Sequence, residues 1–131
     1  MAINTKFRVL PGDTINCIGT HTSGELCFEA GAVSISVQDT TPGLFTTFER
    51  RGVHSVPSPA GVTAGTALYA PGATPANGAT LQPYQRNHRS VAIPSVLVTA
   101  AAGNTYVGRA YSASRQEGAT TMVDLELPAP A

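Results

Sequence analysis

Gly24-Glu25-Leu26-Cys27-Phe28-Glu29, then Ala30-Gly31, then Ala32-Val33-Ser34-Ile35-Ser36-Val37-Gln38, is the stretch that decides the fold class. In the second half, Val33, Ile35 and Val37 alternate strictly with Ser34, Ser36 and Gln38. A period of two belongs to an extended chain whose side chains point alternately to opposite faces, so this segment reads as a strand with one buried face. In the first half Leu26 and Phe28 take the inward positions, and Glu25, Cys27 and Glu29 the outward ones. Gly31 between the two runs predicts a tight hairpin or a bulge.

The same pattern recurs along the chain. Thr121, Val123, Leu125 and Leu127 share one face, with Met122, Asp124 and Glu126 on the other. Shorter strand candidates are Phe7 to Leu10 and Asp13 to Ile18 about a Pro11-Gly12 turn, Phe45 to Arg50, Gly52 to Val56, Gly65 to Tyr69 and Tyr106 to Ser112. Val91 to Thr99 carries Pro94, which marks an edge strand or a bulge. Helix patterns are interrupted by Gly, Pro or β-branched residues before two turns can form. About eight to ten short strands with turns between them predict an all-β barrel or sandwich. Pro71 to His88, with three prolines and few apolar residues, reads as an exposed loop. Residues 1–6 read as an N-terminal arm that needs a partner surface to become ordered, and 7–131 as a single β domain.

Bulk properties narrow the function classes. The 131 residues carry eight basic and eight acidic side chains, so the net charge is zero. A neutral, sparsely charged chain exerts little pull on nucleic acid or on an anionic membrane. No apolar run approaches the roughly 20 residues of a membrane helix. The start of the chain lacks the apolar stretch of a secretory signal, which predicts synthesis in the cytoplasm. There Cys17 and Cys27, the only cysteines, are expected as free thiols, with a structural disulfide as the alternative. Their spacing is far from that of a zinc motif, so no metal and no cofactor is expected.

Catalytic signals are sparse. There is no G-x-S-x-G, no P-loop and no G-x-G-x-x-G. His21, His54 and His88 have no nucleophile motif beside them. Cys17 stands four residues before His21, so a thiol–imidazole pair is conceivable, but Cys17 shares a face with Ile15, which points to core packing. Glu25 and Glu29 are expected on an exposed strand face. The densest charged cluster is Arg86-Asn87-His88-Arg89, with Tyr84 just before it; it reads either as a basic contact patch or as a solvated loop.

Several phrases, in order, then carry a resemblance. They are Pro-Gly-Asp-Thr-Ile (11–15), Ser-Gly-Glu-Leu (23–26), Gly-Ala-Val-Ser-Ile (31–35) leading into Thr-Pro-Gly (41–43), Gly-Val-His-Ser-Val-Pro (52–57), Ala-Gly-Thr-Ala-Leu-Tyr (64–69), Val-Gly-Arg-Ala (107–110) and Val-Asp-Leu-Glu-Leu (123–127). The series resembles the small capsid decoration, or cement, proteins of tailed bacteriophages and spans nearly the whole chain. His54 and Thr66 depart from that family's pattern. The resemblance implies a barrel-like β domain that assembles as a homotrimer on the outside of a mature head. It would sit at three-fold or quasi-three-fold junctions of the major capsid protein and would not be an enzyme. The expected capsid contacts are Ile3, Asn4, Lys6, Phe7 and Arg8 in and beside the arm, and Tyr84, Arg86 and Arg89 in the later loop. Two further readings stay open, namely a head-completion or tail component and a small hydrolase.

Overall fold

The structure, a computed structural model, describes residues 13–128. Among them the fold is all-β and contains ten strands and no helix. They are β1 (Asp13–Asn16), β2 (Leu26–Glu29), β3 (Ala32–Ser36), β4 (Phe45–Glu49), β5 (Val53–Pro57), β6 (Ala67–Pro71), β7 (Ala79–Gln82), β8 (Asn104–Ala110), β9 (Arg115–Glu117) and β10 (Thr120–Glu126). Two antiparallel sheets form, one in the order β1-β4-β3-β2-β7 and one in the order β5-β10-β8-β6, with β9 also on β10. The arrangement is sandwich-like and does not close into a barrel. The arm and the Phe7 to Leu10 strand lie outside the described residues.

The deciding stretch folds as the hairpin expected of it. Glu29 pairs with Ala32, so Ala30 and Gly31 form a two-residue loop. Both have positive φ, 49° and 78°, which is the backbone twist that matches the right-handed twist of the flanking strands. Leu26, Val33 and Ile35 then face Val56, Leu68, Val107, Val123 and Leu125 of the second sheet across the main core. The carboxyl-terminal alternation holds for Val123, Leu125 and Leu127, which join that core; Met122, on the other face, is buried as well.

Three expectations are corrected. The outward face of β2 and β3 is not exposed: Glu25, Cys27, Glu29, Ser34 and Ser36 are all buried. The alternation holds for Val33, Ile35, Ser34 and Ser36, but Val37, expected on the buried face, lies beyond β3 and is 41% exposed. A second layer, built from residues 17–22 and 38–44, covers the other face. It is held by hydrogen bonds between Cys17 and Leu44, Gly43 and Cys17, and Thr40 and His21. Under it Cys17, Cys27 and Phe48 pack with Ile15 as a second, smaller core. Next, the proline-rich segment is not all loop, because β7 pairs with β2 and buries Leu81 and Gln82. Lastly, Val91 to Thr99 forms no strand. Among the described residues its only ladder contact is a bridge between Val98 and Tyr69, and the Gln82 side chain takes over as hydrogen-bond partner there, accepting from Val96 N–H and donating to Pro94 O.

The sheet margins are short. Strands β1 and β7, four residues each, flank the first sheet; β5 and β6, five each, flank the second. Pro57 ends β5 and Pro71 ends β6.

Candidate functional site

The most concentrated chemistry lies under the second layer. The Glu29 side chain, fully buried, accepts from His21 Nε2 at 2.7 Å and from Gly19 N–H at 2.9 Å on Oε2, and from Ile18 N–H at 3.2 Å on Oε1. Cys17 Sγ lies 3.6 Å from the same Oε2 and donates to Gly19 O at 2.9 Å. The other imidazole nitrogen, Nδ1, stands 3.2 Å from Thr80 Oγ1 and 3.5 Å from Glu25 Oε1, and Thr80 Oγ1 donates on to Glu25. Thr40 fixes the backbone, accepting from His21 N–H and donating to Gly19 O. The His21 ring also meets Phe48 edge-on, at 6.1 Å between centroids.

Local sequence explains the convergence. A Cβ at Gly19 would collide with Gly78 O and stand 2.7 Å from His21 Nε2. Glycine there lets the loop fold its amides onto Glu29. Glu29 sits at the end of β2, where the hairpin turns, so its carboxylate reaches the loop as the chain leaves the sheet.

The protonation states follow from these contacts. Burial alone would lower the His21 pKa, but hydrogen bonds and charge from Glu25 and Glu29 outweigh it and hold the imidazole above its ordinary range. Burial alone would raise Glu29, but the bonds from His21, Gly19 and Ile18 pull it below the usual carboxylate range. Burial pushes both thiols up, with the Glu29 charge adding to it, while the Thr40 contact opposes it at Cys17. In the structure both are thiols with no bond between them. A raised thiol pKa is the reverse of what activates a cysteine nucleophile, and the Cys17 proton points to a backbone carbonyl. The Cys17–His21 proximity is therefore real, but it is not arranged as a nucleophile–base pair. Together, Cys17, His21 and Glu29 offer one ligand atom each, all within 4.8 Å of one another.

A second polar cluster lies on the other sheet. Arg115 bonds Glu117 at 2.6 Å and Asp124 at 3.0 Å. Asp124 also accepts from Ser55 and Ser112, and Glu117 also meets His88 at 3.1 Å and Arg89 at 3.6 Å. Burial would raise both carboxylates, yet these partners hold them below the ordinary range.

The later contact candidates divide. Tyr84 is half-buried, its ring against Gly24 and its hydroxyl 3.0 Å from His88 Nδ1. Arg86 and Arg89 project outward, with side chains 71% and 70% exposed, and each touches one carboxylate, Asp39 and Glu117 respectively. The segment is thus an ordered turn that presents two cations, stapled through His88 to β9. Ile3, Asn4, Lys6, Phe7 and Arg8 lie outside the described residues. One surface feature was not anticipated. Ile18, Leu44 and Phe45 are 58%, 59% and 74% exposed, on backbone segments joined by the Cys17–Leu44 bond and the Asn16–Phe45 pair. Elsewhere, an open depression of about 360 Å³ beside Val62, Thr66 and Leu97 has no titratable side chain in its lining.

The fold and these sites define a small antiparallel β-sandwich-like domain whose polar chemistry is mostly turned inward. Comparison with protein-family models, curated proteins and solved structures finds no match to this chain.

Proposed function

We propose that this chain is a capsid decoration protein of a tailed bacteriophage, acting as a trimer on the outer surface of the expanded head. The observation that carries the reading is the ordered series of phrases from Pro11 to Leu127, which resembles that family across nearly the full length. Two features of the molecule support it. Ile18, Leu44 and Phe45 offer apolar surface beside the first strand, as a docking surface needs. Arg86 and Arg89 offer exposed cations for the rim of an interface with the major capsid protein. Such a protein acts by binding alone. Three linked copies multiply a small contact per copy, and binding the expanded shell but not its free subunits stabilises the shell by mass action.

The test is to add the purified chain to expanded heads assembled without it, followed by co-sedimentation and particle reconstruction. Density at three-fold and quasi-three-fold positions is expected, and light scattering should give three copies per particle in solution. Deleting residues 2–6 should leave the melting temperature nearly unchanged and weaken head binding at least tenfold. A chain that decorates no head, or that stays monomeric both free and bound, overturns the proposal.

A further inference from the structure

We propose that Cys17, His21 and Glu29 form a buried zinc site with three protein ligands. The inference does not depend on the proposed capsid role.

Three observations carry it. The first is the donor set. Thiolate, imidazole and carboxylate on one centre suit Zn²⁺ and not Mg²⁺ or Ca²⁺, which take oxygen ligands. The second is spacing. Zinc bonds of about 2.0–2.3 Å in a tetrahedron place ligand atoms about 3.3–3.8 Å apart. Here Sγ to Oε2 is 3.6 Å, Nε2 to Oε2 is 2.7 Å and all three ligand atoms lie within 4.8 Å of one another, so shifts of about an ångström admit the ion. The third is the outer shell. Metal-bound histidines hold their second nitrogen against a carboxylate or another acceptor, which fixes ring and tautomer. His21 turns Nε2 to the cluster and Nδ1 to Thr80 and Glu25. The Glu29 carboxylate is likewise oriented by the Gly19 and Ile18 amides.

The exchange balances. Zn²⁺ displaces the Cys17 thiol proton and the Nε2 proton of the His21 imidazolium, and two protons leave to solvent. Thiol, imidazolium and carboxylate sum to zero charge; thiolate, imidazole, carboxylate and Zn²⁺ also sum to zero. The buried centre therefore gains a metal with no change in net charge. Its three ligands are nearly or fully inaccessible, so the ion enters as the chain folds, with the fourth position left to a water or a backbone carbonyl.

The full chain, unfolded in denaturant and refolded with or without Zn²⁺, tests the site. After gel filtration, elemental analysis should find one zinc per chain, with a higher melting temperature than chelator-treated protein and no such rise with Mg²⁺. Refolding with Co²⁺ should give the near-ultraviolet thiolate-to-metal charge-transfer band and tetrahedral visible bands. Cys17→Ser should remove that band and weaken zinc at least tenfold, while Cys27→Ser, which alters the neighbouring buried thiol, should keep both. Thr80→Val should weaken zinc by about 10–100-fold through the outer shell. Wild-type protein that retains no zinc, a Co²⁺ form without the thiolate band, or equal zinc affinity in Cys17→Ser overturns the proposal.

Discussion

Glu29 and Glu117 are both carboxylates at the ends of short strands, both bonded to a histidine, and both held below the ordinary carboxylate pKa. Their settings differ. Glu29 is sealed under the second layer, with backbone amides and a thiol completing its shell. Glu117 stands at the rim of the other sheet with two arginines, both partly in water. The same pairing chemistry thus serves two ends. Removing one partner of a sealed pair leaves an uncompensated charge, which costs several kcal/mol, whereas a rim pair is replaced by water at little cost.

The largest effect is expected at the sealed end. Glu29→Gln, measured by urea unfolding with chelator present, should cost about 3–5 kcal/mol, because the His21 charge loses its closest partner. A cost below about 1 kcal/mol would mean the two carboxylates are energetically alike, and the comparison would fail. Gly19→Ala should follow at about 1–3 kcal/mol, since the new methyl displaces Gly78 O or the imidazole.

Smaller effects are expected at the rim. Glu117→Gln should cost about 1 kcal/mol or less at low salt. That cost should shrink at about 1 M salt, where the screening length falls to about 3 Å; the Glu29→Gln cost should not. The pH dependence has a definite sign. Glu117 and Asp124 have folded pKa values below their unfolded ones, so their contribution is complete above the ordinary carboxylate range and fades as pH falls through the lower folded values. Wild type should therefore lose stability on acidification more steeply than Glu117→Gln or Asp124→Asn. The smallest effect is Arg86→Ala, whose exposed pair with Asp39 should be worth no more than about 0.5 kcal/mol in thermal unfolding.

Much of the fold was legible because alternation is a local signal. Val33, Ile35, Val123 and Leu125 took their places from period two alone, and Gly31 marked the hairpin. What failed was non-local. Glu25 and Glu29 read as solvent-facing because charge at alternate positions usually is, and no pattern within β2 announces that residues 17–22 fold over it. One available hint was composition: Ser34, Ser36 and Cys27 are small enough to lie under a second layer, unlike the long polar chains of a wetted face. The Cys17–His21 spacing is visible in the sequence, but the third member, Glu29, is set by the hairpin register and not by sequence distance. Strand β7 was missed because prolines flank it; Pro94 signalled departure from a central strand, and the segment around it leaves the sheet altogether.

The short sheet margins have a consequence for the molecule in bulk. Open strand edges are templates on which copies add to one another without limit. Among the described residues a margin offers four or five residues, two margins end in a residue that cannot donate, and Val98 already occupies part of the β6 flank. Such short edges leave little ladder to extend, so concentrated solutions should remain clear and free of fibres. Association between copies would then rest on side-chain surfaces rather than on strand edges.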